Sequence, residues 1–186
     1  LDLLRDRSLS LKDRLRNFLL ITGEAQQLLD SENMAELAAF CTESWVISTK
    51  TDAGSGSWEA AACRCLQDLE ILEPDWLALL KQWAQAPELP GFAPQDPEKL
   101  ERIAVYFAFR YLLKAVNDGD LLGRAQFCAL GVLVTDRLSR FVGLPEALRL
   151  FSREIEHNEE NLGTLLEQFW QTEGLSLSAL LAAFGG

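Results

Sequence analysis

Histidine is nearly missing from this 186-residue chain, which has one, His157. That scarcity leaves no convincing Ser/His or Cys/His catalytic arrangement, and no metal centre built from several imidazoles. Cations are also in deficit. Seventeen Lys and Arg stand against 28 Asp and Glu, a net charge of −11, and an acidic surface repels phosphate backbones and anionic lipid. Neither nucleic acid nor a membrane surface is therefore expected as a partner, and cationic partners are favoured. The longest strongly apolar stretch, residues 125–135, is interrupted by Gln126 and is too short to span a bilayer; no signal peptide is visible either. The four cysteines, Cys41, Cys63, Cys65 and Cys128, match neither a disulfide framework nor a zinc motif. Buried free thiols in a reducing compartment are the expectation. Glycine-rich signatures are missing as well: there is no Gly-x-Gly-x-x-Gly turn, phosphate loop or Gly-x-Ser-x-Gly elbow, which excludes a Rossmann-type enzyme.

What is present reads as helix. A composition 48% hydrophobic, 9% aromatic and 24% charged is that of a folded globular protein, and the length suits one compact domain. The prediction is an all-α fold, a single irregular bundle of about seven to nine helices with a buried antiparallel helix hairpin at its centre. A subdivision into residues 1–86, a proline-rich linker 87–97 and a core 98–186 is the alternative. Because the chain opens on Leu1 rather than Met, a fragment or processed product is expected.

Ser10 with Asp13 resembles a capping box for a helix to about Asp30, and Ser31 is read as the cap of the next. Residues 45–49 are the one strand-like run, leading into the Gly/Ser loop 51–57. Ser57 caps a helix expected over 58–72, and Pro74 begins another. Asp96-Pro97 reads as cap and first helical position of a helix to about Val116. That helix and the next, from Asp120 or Leu121 to Val142, look apolar on nearly every face and so should be enclosed. Residues 117–120 join them. Pro145 starts a peripheral helix whose apolar face continues through His157 to Phe169, and Ser176 caps a last short helix. No internal repeat or coiled-coil heptad is found.

Two anomalies interrupt this pattern. Arg110 lies within the first of the two enclosed helices, flanked by Tyr106 and Tyr111, so it needs a partner; Asp118, Asp120, Asp136 and Glu154 are the candidates. The partnership is either a structural ion pair or an anchor for a ligand carboxylate. Glu154 and His157 stand three apart, on one helix face, with Asn161 one turn on. Such a pair occurs in di-iron bundles, but those need two pairs and further glutamates. Glu159 and Glu160 are read as exposed charges, and the five tryptophans as core or interface.

Three blocks, residues 1–15, Tyr106 to Tyr111 with Asp118-Gly119-Asp120, and Ser152 to Leu162, resemble in order the region of flagellin lysine-N-methylases that follows their cysteine cluster. The resemblance implies a cytoplasmic bacterial enzyme that transfers a methyl group from S-adenosylmethionine to flagellin lysines. The cysteine cluster itself is absent here, so an iron–sulfur centre would have to come from an upstream segment. On that reading Glu154 or His157 accepts the lysine proton, Arg110 holds the cofactor's carboxylate, Tyr106 or Tyr111 lines the pocket, and Asp118 and Asp120 lie on the cofactor side. The competing class is a non-catalytic acidic helical module that docks a partner helix or basic segment. An enzyme requires Arg110, Glu154 and His157 to converge on one hollow; an adaptor leaves them in separate ion pairs beneath an apolar surface.

Overall fold

The computed structural model describes residues 2–42, 58–88 and 92–185, and these are helical with no strand among them. The strand-like run 45–49 and the Gly/Ser loop fall outside the described residues. In chain order the helices are α1 (Asp2–Arg5), α2 (Leu11–Asp30), α3 (Met34–Phe40), α4 (Trp58–Asp68), α5 (Pro74–Gln85), α6 (Pro97–Tyr111), α7 (Ala115–Asp118), α8 (Leu121–Val142), α9 (Leu144–Phe151), α10 (Glu159–Gln171) and α11 (Leu177–Ala183). The all-α bundle expected from the periodicity is what forms. No helix among the described residues is long and apolar enough to cross a membrane.

Local chemistry sets most of the boundaries. Ser10 Oγ accepts from Asp13 N, Asp96 from Lys99 N and Ser176 from Ala179 N, each satisfying an orphan N–H of a first turn. Gly143 at φ 79° ends α8, in backbone space that costs glycine nothing. Some boundaries move. Ser31 closes α2, and the cap of α3 is Asn33, whose side chain accepts from Glu36 N. The helix expected to reach Leu72 stops at Asp68, and the one expected to reach Val116 is interrupted at Leu112–Lys114 by a 3₁₀ turn.

Helix α8 is the axis of the bundle, packed against α2, α5, α6, α9, α10 and α11. Its residues 125–138 are buried without a break. Phe107 of α6 packs edge-on against Phe127 and Phe151, and Tyr111 lies 4.7 Å from Phe127. Gly131 makes room for this: a Cβ there would meet the Phe107 ring at 2.8 Å. Trp76 and Trp83 are buried, whereas Trp170 is exposed and Trp45 is outside the described residues. Cys63, Cys65 and Cys128 are buried free thiols, as expected, but Cys41 is exposed because α3 turns a single residue, Phe40, into the core.

The described parts of the proline-rich stretch, Pro87 and Phe92 with Ala93, are tied to α8 and α11. Arg137 donates to Pro87 O and Arg140 to Ala93 O, while Phe92 N donates to Ala183 O and its ring meets Phe184 edge-on. Arg137 also lies 3.0 Å from Glu59, a buried pair completed by the Trp83 indole N–H. Buried hydrophobic residues from both sides of the stretch join one core.

Helix α6 departs from expectation. Its inner face, Leu100, Ile103, Ala104, Phe107, Ala108 and Tyr111, is buried, but Tyr106, Phe109 and Arg110 face solvent. Apolar character on both faces did not make it an enclosed helix. Hydropathy reports what a side chain prefers; it does not say whether a neighbour is there to cover it.

Candidate functional site

The polar cluster nearest to a surface groove is built on α6 and on a π-helical turn, Ser152–Glu156, that follows α9 directly. In that turn His157 N donates to Ser152 O, five residues back, at 3.0 Å. Such a turn carries an extra residue, so positions three apart lose the shared face they have in an α-helix. Glu154, Glu156 and His157 consequently point to three different environments. The expected continuous helix from Pro145 to Phe169 is broken here, and α10 restarts on Asn158, whose side chain accepts from Glu160 N and Asn161 N.

Glu154 is fully buried and accepts from Leu72 N at 2.9 Å and Glu73 N at 2.7 Å. Asn161 completes the same grip. It accepts from Glu70 N and donates to Glu70 O and Glu154 O. Together they satisfy the backbone of the turn between α4 and α5, where the N-cap residue Glu73 provides no side-chain cap of its own. On the surface, Arg149 and Arg153 both pair with Glu73. The carboxylate of Glu73 is held below the ordinary range, first by the Arg149 hydrogen bond.

Glu156 turns the other way, towards α6. Its Oε1 accepts from Tyr106 OH at 2.9 Å and Tyr111 OH at 2.8 Å, and Arg110 Nε lies 3.7 Å from the same oxygen. Arg110 also donates to the Tyr111 hydroxyl at 3.1 Å, and its guanidinium and the Lys114 ammonium both lie over the Tyr111 ring. Burial, then the bond to Glu156, pushes both phenols to higher pKa. They stay protonated donors at neutral pH. This is the reverse of an activated phenol, since a catalytic base or nucleophile needs its proton to leave readily.

Beside this cluster lies an open groove of about 260 Å³, lined by Arg102, Ile103, Tyr106, Leu148, Ser152 and Glu156. Its walls are mainly apolar. Small-molecule pockets generally hold roughly 300–1,000 Å³ and enclose most of their ligand; this groove falls just below that range and is open on one side.

The structure therefore brings Arg110, Tyr106 and Tyr111 together and separates them from the other expected site residues. Arg110 is partly exposed rather than enclosed, and its carboxylate partner is Glu156, not Asp118, Asp120, Asp136 or Glu154. Glu154 and His157 do not share a face: one is sealed against a backbone turn, the other is exposed at the end of the π turn. Asp120 caps α8, its Oδ1 accepting from Gly123 N at 2.8 Å. Asp118 accepts from Asp120 N and pairs with Arg124, which draws its pKa down. Gln26 bridges the same turn, accepting from Leu121 N and Leu122 N and donating to Gly119 O. Both aspartates belong to this turn. Glu159 and Glu160 are exposed, as read from the sequence.

The chain matches no known protein family, no characterised protein and no solved structure. Function has to be read from the surface itself.

Two features escaped the sequence reading. The first is Glu156, visible in sequence as an acid among acids; only the π turn makes two glutamates two residues apart both buried. The second is an apolar stripe. Tyr106, Phe109, Leu113 and Val116 are 41%, 64%, 64% and 86% exposed, and their spacings of three, four and three residues place them along one side of α6 and its continuation. The spacing is present in the sequence. Its exposure is not.

Proposed function

We propose that this chain is a non-catalytic helical interaction module, and that its docking face is the outer side of α6 and the turn beyond it. The observation that carries this reading is the exposed stripe Tyr106, Phe109, Leu113 and Val116. Single exposed apolar residues are ordinary, but a contiguous row along α6, the 3₁₀ turn and α7 marks a contact surface. The three-four-three spacing is that of a helix-to-helix seam, which selects an amphipathic helix as the occupant. The rigid backing under the stripe favours such a role, because Phe107 and Tyr111 anchor α6 to α8 and the Glu156 bonds lock it to the π turn.

Methyl transfer fits the residues less well. Arg110, assigned by resemblance to the carboxylate of S-adenosylmethionine, is engaged by Glu156 and Tyr111, and Glu154, the assigned proton acceptor, already accepts two backbone N–H groups. The test has two arms. Calorimetric titration with S-adenosylmethionine is expected to give no binding heat, and selection from a random helix-forming peptide library is expected to enrich binders lost on Phe109→Asp and on Leu113→Asp. Cofactor binding that disappears with Arg110→Ala, or a selection yielding no binder sensitive to the stripe, would overturn the reading.

A further inference from the structure

We infer that the helix received on α6 is an acidic one, which inserts an aliphatic side chain into the groove beside Tyr106; this rests on the docking face proposed above. The reason is a local reversal of charge. Residues 58–96 carry two cations against seven carboxylates, and residues 144–186 likewise two against seven. From residue 97 to 114 the balance inverts: Lys99, Arg102, Arg110 and Lys114 stand with only Glu98 and Glu101 in the same stretch, and although Lys99 pairs with Asp96 and Arg110 with Glu156, Arg102 and Lys114 form no ion pair among the described residues. Glu101 is removed from that account, because it is buried beneath Arg7 and Arg14, and Arg7 adds its own exposed charge. The outer face of α6 is thus a basic strip on a strongly acidic molecule.

These cations border the stripe. Arg102 stands one turn before Tyr106 and lines the groove, and Lys114 follows Leu113, while Arg110, after Phe109, is already held by Glu156 and Tyr111. A partner helix with apolar residues in a three-four pattern and carboxylates beside them would meet the stripe and the cations together. A basic helix would set like charges against like. So would a second copy of this chain docked face to face, since its Arg102 and Lys114 would confront the same residues. Global acidity favoured a cationic partner; the distribution of charge on this face favours the opposite.

The groove supplies the anchor. Ile103 and Leu148 form apolar walls, Tyr106 stands at the junction with the stripe, and Glu156 is already bonded to the two phenols. A concave apolar site of this size beside a flat apolar row is where a few residues dominate binding.

The experiment uses the whole chain and the stripe-dependent peptides from the selection described above. Enrichment of Asp and Glu beside the apolar positions is expected, and a chosen acidic winner, followed by fluorescence polarisation, should weaken about tenfold or more with Arg102→Glu and with Lys114→Glu, and steeply with added salt. Ser152→Phe, which fills the groove, should weaken it by a similar factor while circular dichroism shows the fold intact. Stripe-dependent winners with basic or uncharged flanks, or acidic winners indifferent to both charge reversals, would overturn this inference and leave the docking face standing. Winners that ignore Phe109→Asp and Leu113→Asp would remove the docking face itself.

Discussion

Helices α6 and α8 look alike in sequence and live differently. Both are rich in large apolar residues around their circumference, yet α8 is surrounded for most of its length, whereas α6 buries one side and leaves Phe109 in solvent. The same residue type is core in one helix and surface in the other: Phe127 is wholly buried and Phe109 mostly exposed. The difference teaches that an apolar residue is informative where it goes uncovered. In α8 burial accounts for the hydropathy; on the outer side of α6 no packing within the described residues does, and the proposed docking face rests on that difference.

The sharpest way to break this contrast is to truncate the two phenylalanines in parallel. Phe127→Ala removes a ring that touches Phe107, Tyr111 and Phe151, and is expected to destabilise by about 3–5 kcal/mol in chemical denaturation. Phe109→Ala should stay within about 0.5 kcal/mol of the wild type. Comparable losses for both would show that α6 is covered in solution, by another copy or by rearrangement.

A smaller effect is expected at the π turn, which separates the structural glutamate from the one beside the groove. Glu154→Ala leaves Leu72 N and Glu73 N without their acceptor and should cost about 2–4 kcal/mol by the same measurement, in the lower part of the roughly 1–3 for each orphaned group because this turn is only partly buried and water can reach it. Its effect on peptide binding at α6 should be small. If binding falls as far as stability does, the two sides of the π turn are coupled and the separation drawn between them is wrong.

The smallest effect is pH-dependent and concerns the far edge of α6. Glu101 is held below the ordinary carboxylate range, first by the hydrogen bond from Arg7 and then by that from Arg14. A depressed folded-state pKa contributes stability that is complete above the unfolded value, and loses it as pH falls through the folded value. Glu101→Gln should therefore lower the melting temperature at neutral pH and flatten its decline below about pH 4.5, the range in which unfolded glutamates titrate. An unchanged slope would mean that α1 and its following turn are not fastened to α6 through this carboxylate.

Much of the fold was legible because capping and periodicity act within a few residues. Ser10, Asp96, Pro97, Pro74 and Ser176 announced their helices, and Gly143 its terminus, each through backbone groups that only certain side chains can satisfy or replace. The candidate site was legible in fragments. Arg110 between Tyr106 and Tyr111 was recognisable as a charge in need of a partner, and the partner is a carboxylate, but Glu156 was not among the four candidates. Which carboxylate could not be read, because assigning it supposes a helical register, and the π turn shifts the register by one residue with no signal in the residue types. Asp118 and Asp120 hold the turn before α8 with the same acceptor oxygens that a ligand would use, so residue type alone does not separate the two roles.

By itself, then, the sequence determined the helical class, most helix starts and the acidity of the molecule, since all three are sums of local terms. Tertiary structure alone decided which apolar face is covered, which glutamate meets Arg110 and where the basic strip comes to the surface. Those outcomes depend on elements far apart in the chain arriving side by side, and no local propensity encodes an absent neighbour.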